Sequence, residues 1–197
     1  MSPAVAIPVR LAHDGPITAG PSVREVPAAF VLRTARAADA EAIDDLVRDH
    51  RGEGHLLPRT LDEIRAHAHR IVVAATADAT GTVVGCADLA PLSRTVAEVR
   101  SLVVAAAARR AGTGRQLIDD LVRRASAAGF DKLCAFTHAP SYFVELGFSI
   151  VPHVWLPEKI QADCRSCAEF RRCGQYAVML PLVRSRQSCV PLASLHG

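Results

Sequence analysis

The sequence predicts an α+β domain built on a mixed, mostly antiparallel sheet with one strand–helix–strand crossover. Three observations carry that reading. Three apolar or alternating runs, IVVAAT (71–76), TVVGCADLA (82–90) and VAEVRSLVV (96–104), follow one another across turn-like stretches containing Gly81 and Pro91, as consecutive antiparallel strands do. The last run leads through RRAGTG (109–114) into 114–128, where Leu117, Ile118, Leu121, Val122 and Ala125 recur at helical spacing. Gly129 stops that helix, and KLCAF (132–136) reads as the strand on the far side of the crossover.

The remaining elements fall into place around these. Residues 1–29 carry five prolines, two glycines and no periodicity, so they are expected to form a flexible extension, with the ordered domain over 30–182 and a tail over 183–197. FVLR (30–33) is a first strand. TARAADAEAIDDLVRDH (34–50) is a helix with Ile43, Leu46 and Val47 on one face and Thr34 or Asp39 as cap. A second helix is expected over 61–69. SYFVEL (141–146) is a short helix closed by Gly147, and FSIVPHV (148–154) and YAVMLPL (176–182) are late strands. Trp155 is expected in the core or as a lid over a cleft.

The chain has 197 residues, half of them apolar, enough for one domain of ordinary size with a real core. Its 23 Lys and Arg against 20 Asp and Glu leave a charge of +3, without a basic block or interleaved aromatics, which argues against a nucleic-acid partner and suits a small anionic ligand. The N-terminus lacks a basic segment followed by an apolar stretch, and no run is long and apolar enough to span a bilayer, so no membrane partner and a cytoplasmic location are expected. The six cysteines are then expected to remain thiols.

Gly112 and Gly114 stand where a strand gives way to a helix. Glycine there serves either a turn that needs unusual dihedrals or the approach of a phosphate to the unpaired amides and positive dipole end of a helix. Arg109-x-x-Gly112-x-Gly114 resembles the Q/R-x-x-G-x-G/A signature of the GNAT acyltransferases, and YFVELGF (142–148) resembles that family's FYxxxGF element. GHLLPRTLDEI (54–64), AEVRSLVV (97–104) and the tail LPEKIQADCRSCAEFRRCGQYAVMLPL (156–182) resemble stretches of N-acetylglutamate synthases, in particular the short stand-alone bacterial ones.

The resemblance implies the GNAT fold, with helices on both faces of the sheet, and acetyl-CoA as cosubstrate. Its pyrophosphate would lie at Arg109, Arg110, Ala111, Gly112, Thr113, Gly114 and Arg115, its pantetheine arm along Leu102, Val103, Val104 and Phe143, and a backbone N–H at Leu102 or Val103 would receive the oxyanion. It implies acetyl transfer to the α-amine of L-glutamate, the entry step of arginine biosynthesis. An α-ammonium must lose a proton before it attacks, and Glu98 stands where the family has its proposed base; the bland alternative is a strand glutamate paired with Arg100. Arg59 matches the arginine that binds substrate carboxylate in the synthases, its planar fork suiting a carboxylate, and it reads otherwise as a solvated loop arginine. Arg171 and Arg172 fall near the family's second basic cluster; Arg100 and Lys159 are further candidates.

One element departs from the family pattern. Phe143 replaces the tyrosine of FYxxxGF, Ala139 replaces a nearby serine, and Tyr142, one residue earlier, is expected to face elsewhere on the helix, leaving Ser141, Tyr142 or water to protonate the departing thiolate. Cys164-x2-Cys167-x5-Cys173 has the first spacing of a zinc knuckle but lacks a second matched pair, so no metal is expected, and His50/His55 and His67/His69 read as polar surface. Two other functions remain open: an acetyltransferase for another amine, such as another amino acid, a polyamine, an antibiotic or a protein N-terminus, and a non-catalytic acyl-CoA-binding regulatory module. Residue spacing does not fix the assembly; a homodimer is the one kept in view.

Overall fold

The computed structural model describes residues 29–50, 59–168 and 170–182. The extension up to residue 28, the tail 183–197, His55 and Cys189 lie outside the described residues. A seven-stranded sheet has the order β1-β2-β3-β4-β5-β7-β6, with β1 at Phe30–Thr34, β2 at Ile71–Thr76, β3 at Val83–Pro91, β4 at Val96–Val104, β5 at Lys132–Thr137, β6 at Ser149–Val151 and β7 at Tyr176–Pro181. Neighbours pair antiparallel except β4 and β5, which run parallel, as a strand–helix–strand crossover requires.

Alternation along the strands builds two cores. Val72, Ala74, Ala87, Leu89, Ala97 and Val99 face α3 (Thr113–Ala127), whose Leu117, Ile118, Leu121 and Ala125 are buried against them. Ile71, Val73, Cys86 and Val103 face the other way, against Ile43, Leu46 and Val47 of α1 (Ala40–Asp49) and Ile64 of α2 (Leu61–His67). Helices thus cover both faces, as the resemblance implied. A capping box closes the start of α2: Thr60 Oγ1 accepts from the Glu63 amide at 3.2 Å, and Glu63 Oε2 accepts from the Thr60 amide at 2.8 Å.

Several boundaries differ from the sequence reading. The first helix is preceded by a 3-10 turn, Ala37–Asp39, with Asp39 Oδ2 accepting from the Arg36 amide at 2.6 Å, and the second ends as a 3-10 turn over Ala68–Arg70. The strand expected over 148–154 is only Ser149–Val151, because Pro152 supplies no N–H to a ladder. A 3-10 turn, His153–Trp155, follows, and it turns the Trp155 ring outward at 58% exposure, so Trp155 is neither core nor lid.

Two departures from regularity shape the centre of the sheet. Cys86 pairs with Val103 but Asp88 with Arg100, so one residue of β3 opposes two of β4: a bulge, with Ser101 at φ +49°. The bulge shifts the alternation, so that Val103 faces the same side as Glu98 and Arg100. Beside it, β4 and β5 pair only over Val96–Glu98 and Lys132–Cys134, and beyond those residues the two strands part. A cleft opens there.

Candidate active site

Two cavities lie along that cleft and meet at Leu102 and Tyr142. The first, about 440 Å³, is walled by Leu102, Val103 and Val104 of β4 and by the turn into α3: Arg109, Arg110, Gly112, Thr113, Gly114 and Arg115. Ala111 belongs to the same turn without lining the cavity. Gly112 is the N-cap of α3 with φ +80°, a left-handed conformation that glycine adopts without strain. Thr113 Oγ1 donates to the Ala108 carbonyl at 2.9 Å and Arg109 Nε to the Val104 carbonyl at 3.0 Å, tying the turn to the strand end. The first-turn amides of α3 have no acceptor within the helix, so a cavity walled by three arginines ends on unpaired N–H groups and the positive end of a dipole. A Cβ on Gly114 would stand 2.5 Å from Tyr142 Oη, so glycine is what admits the tyrosine there.

The second cavity, about 770 Å³, is lined by Arg59, Glu63, Glu98, Arg100, Lys159 and Asp163 among others. Its floor is an ion-pair network. Glu98, 3% exposed, accepts from Arg100 Nε at 2.5 Å and from Lys159 Nζ at 2.6 Å. Lys159, on α5 (Pro157–Ala162), also donates to Asp163 Oδ2 at 2.7 Å and lies 5.2 Å from the Phe136 ring centroid; Arg100 Nη2 donates to the same Asp163 oxygen. Burial works against the Arg100 charge, but the Glu98 and Asp163 carboxylates outweigh it and hold the guanidinium above its ordinary pKa. Arg59 Nη1 donates at 2.7 Å to Asp88, a fully buried carboxylate that Arg70 also holds at 3.1 Å.

The structure gathers most of the expected residues. Glu98, Arg100 and Arg59 line the second cavity, and the glycine turn lines the first. Tyr142, expected to face elsewhere, lines both, because α4 (Pro140–Val144) packs its start against the turn into α3; burial raises its phenol pKa. Phe143 is 6% exposed, lines the second cavity rather than the first, and packs edge-on against Phe148 at 5.3 Å. Ser141, one position and so about 100° around the helix from Tyr142, is exposed and lines neither cavity. Arg171 and Arg172 sit exposed on a 3-10 turn, Phe170–Arg172, and line neither cavity.

Asp88, Arg70 and Asp163 were not singled out from sequence. A carboxylate inside the apolar run of β3 was the available signal, since a buried acid demands a cation. The Cys86 and Cys134 thiols are pushed up to about 12, chiefly by burial, which disfavours the nucleophilic thiolate. Among the described residues all five cysteines are free, and no group of three His, Cys, Asp or Glu is placed to hold a metal ion. No helix among them is long and apolar enough to cross a membrane.

The model of the acetyltransferase (GNAT) family matches residues 39–148, more than half of the chain. The chain belongs to that family. It is 32% identical over 151 residues to an uncharacterized N-acetyltransferase of Chlorobaculum tepidum, CT2212, covering 77% of this chain and 96% of that one. It is 30% identical over 130 residues to the amino-acid acetyltransferase of Shewanella oneidensis, covering 65% of this chain but 28% of that longer protein. Among solved structures it resembles Rv2747 of Mycobacterium tuberculosis, crystallised with CoA and NLQ, at 26% identity and a TM-score of 0.66 over 78% of this chain and 99% of that one. It also shares the fold of the N-acetylglutamate synthase of Neisseria gonorrhoeae complexed with coenzyme A and N-acetyl-glutamate, with a TM-score of 0.70 at 24% identity over 80% of this chain and 36% of that one.

Proposed function

We propose that this protein transfers the acetyl group of acetyl-CoA to the α-amine of L-glutamate, the entry step of arginine biosynthesis, as a cytoplasmic enzyme. The observation that carries the reading is the pairing of two cavities through Leu102 and Tyr142, one ending on a helix N-terminus, the other holding a buried carboxylate paired with two cations. The 30% identity to an amino-acid acetyltransferase supports the choice of acceptor.

The residues of the first cavity fit the cosubstrate. Gly112 leaves open space where a side chain would begin, with only Gln116 Nε2 as near as 3.9 Å, and the surrounding arginines complement a pyrophosphate. Acetyl-CoA supplies a thioester-activated acetyl group. Glu98, directly or through one water, takes the proton from the acceptor ammonium so that the amine lone pair can attack. A backbone N–H of Leu102 or Val103 donates to the carbonyl oxygen as negative charge develops on it. Tyr142 lines both cavities where they meet and, as a phenol whose pKa burial raises further, is the group that returns a proton to the leaving sulfur.

A panel of acceptors tests the assignment by CoA release. Glutamate should be acetylated fastest, with glutamine, which lacks the side-chain charge, and aspartate, one methylene shorter, each poorer. Glutamine turned over as readily as glutamate, or a polyamine preferred to both, would overturn the glutamate assignment and leave the family assignment standing.

A further inference from the structure

Asp163 occupies an unusual place. It is the C-cap of α5, where the negative end of the helix dipole disfavours a carboxylate, and its amide donates to the Lys159 carbonyl at 3.0 Å. What offsets that disadvantage is a pair of cations: Asp163 Oδ2 alone accepts from both Lys159 Nζ, at 2.7 Å, and Arg100 Nη2. Both cations line the second cavity, and so does Asp163.

The two carboxylates of this network differ in how firmly they are held. Glu98 is 3% exposed and set in the middle of the sheet, so moving it would abandon a charge in the interior. The Asp163 side chain is 32% exposed and sits at the end of a six-residue helix, from which it can turn into water. Arg59, by contrast, is bound to a carboxylate with no exposed surface, whose withdrawal would leave a charge in the interior. The cations whose partner can be exchanged are therefore Arg100 and Lys159.

We propose that Arg100 and Lys159 form a carboxylate subsite for the acceptor, and that Asp163 holds this subsite as an internal ligand which the acceptor's carboxylate displaces. The proposal rests on the acceptor being an amino acid. With Asp163 withdrawn, Glu98 faces two cations by itself, and the net positive charge at the floor of the cavity favours an incoming anion. The same arrangement gives selectivity: an amine without a carboxylate gains nothing by releasing Asp163 and would be drawn to it instead.

Asp163→Asn keeps the size and a hydrogen-bond acceptor while removing the charge, and Asp163→Ala removes the acceptor as well. Binding of L-glutamate to the CoA complex, measured by calorimetry, should tighten about three- to tenfold in both variants, with a matching fall in the KM for glutamate and an unchanged KM for acetyl-CoA. Putrescine, a diamine without a carboxylate, should bind the variants more weakly than the wild type. If Asp163 only staples α5 to the sheet, the variants lose thermal stability and glutamate affinity stays level or falls, which overturns the proposal. Glutamate turned over by the wild type with no gain in Asp163→Asn sinks the subsite alone. A gain in glutamate binding without glutamate turnover sinks the acceptor assignment alone, and glutamate binding to neither form sinks both.

Discussion

Glu98 carries one duty in the fold and a second in the proposed reaction, and a substitution can separate them. Its oxygens accept from Arg100 and Lys159, so it pairs with two inward-facing cations as well as being the proposed base. Glu98→Gln still accepts a hydrogen bond but takes no proton; kcat should fall by about 10²–10⁴ near neutral pH while the KM for acetyl-CoA holds. Loss of the charge should also lower stability, by up to the roughly 3–5 kcal/mol of a broken buried pair, read as a shift in the denaturant midpoint. A variant with wild-type turnover would leave Glu98 only its structural duty. At this scale the sequence was legible where a motif surrounded the residue: Glu98, Arg59 and the turn glycines all line a cavity. It was silent where the partner came from elsewhere in the chain. Arg59 meets Asp88 across 29 residues and Lys159 meets Glu98 across 61, and local spacing carries no trace of such pairs.

The element that walls the first cavity, the proposed cosubstrate site, is the turn into α3, and its two glycines are expected to fail differently. Gly112→Val forces a branched residue to φ +80°, about 1–2 kcal/mol of strain, and puts its methyl groups into the open cradle. The KM for acetyl-CoA should rise at least tenfold, about 1.4 kcal/mol, with kcat little changed; a folded variant with unchanged KM would remove phosphate binding from this turn. Gly114→Ala brings its Cβ within 2.5 Å of Tyr142 Oη, so the ring must swing from the junction. There kcat should fall more than the KM for acetyl-CoA rises, and an unaltered kcat would relieve Tyr142 of its role. Helix and strand positions were readable because periodicity follows from burial of one face, as in α3. The bulge at Ser101 was not, because in VAEVRSLVV apolar residues stand on both sides of it and an extra residue leaves the pattern intact. Nor was the early end of β6 or the 3-10 turn that carries Trp155 outward, since an apolar run continues past Pro152 on paper while the ladder cannot.

At the scale of the molecule, function depends on a sheet that is joined and parted at one place. Among the described residues, β1–β4 and β5-β7-β6 join through the short parallel pairing of Val96–Glu98 with Lys132–Cys134, preceded by the Asp131 and Lys132 amides donating to the Thr95 carbonyl, and the opening beyond Glu98 and Cys134 is the cleft. The crossover between β4 and β5 was legible in the sequence; the parting was not, because the length of the parallel pairing depends on where two distant strands diverge. What keeps the halves together is the core beneath: Leu133, with no exposed surface, pairs with Ala97 and packs in one cluster with Val72 of β2, Leu121 of α3 and Val178 of β7. Leu133→Ala should cost about 2–5 kcal/mol, the transfer term plus the cavity left between two strands that cannot close without shutting the cleft. Because a single cluster spans both halves, the loss should be felt on each side of the split. Hydrogen exchange of the β2 and β7 amides under native conditions should report an equal drop in protection, and denaturation should remain a single transition. Protection lost in β5 and β7 while β2 keeps its own would mean that the halves unfold separately and that the cleft is a boundary between two folding units.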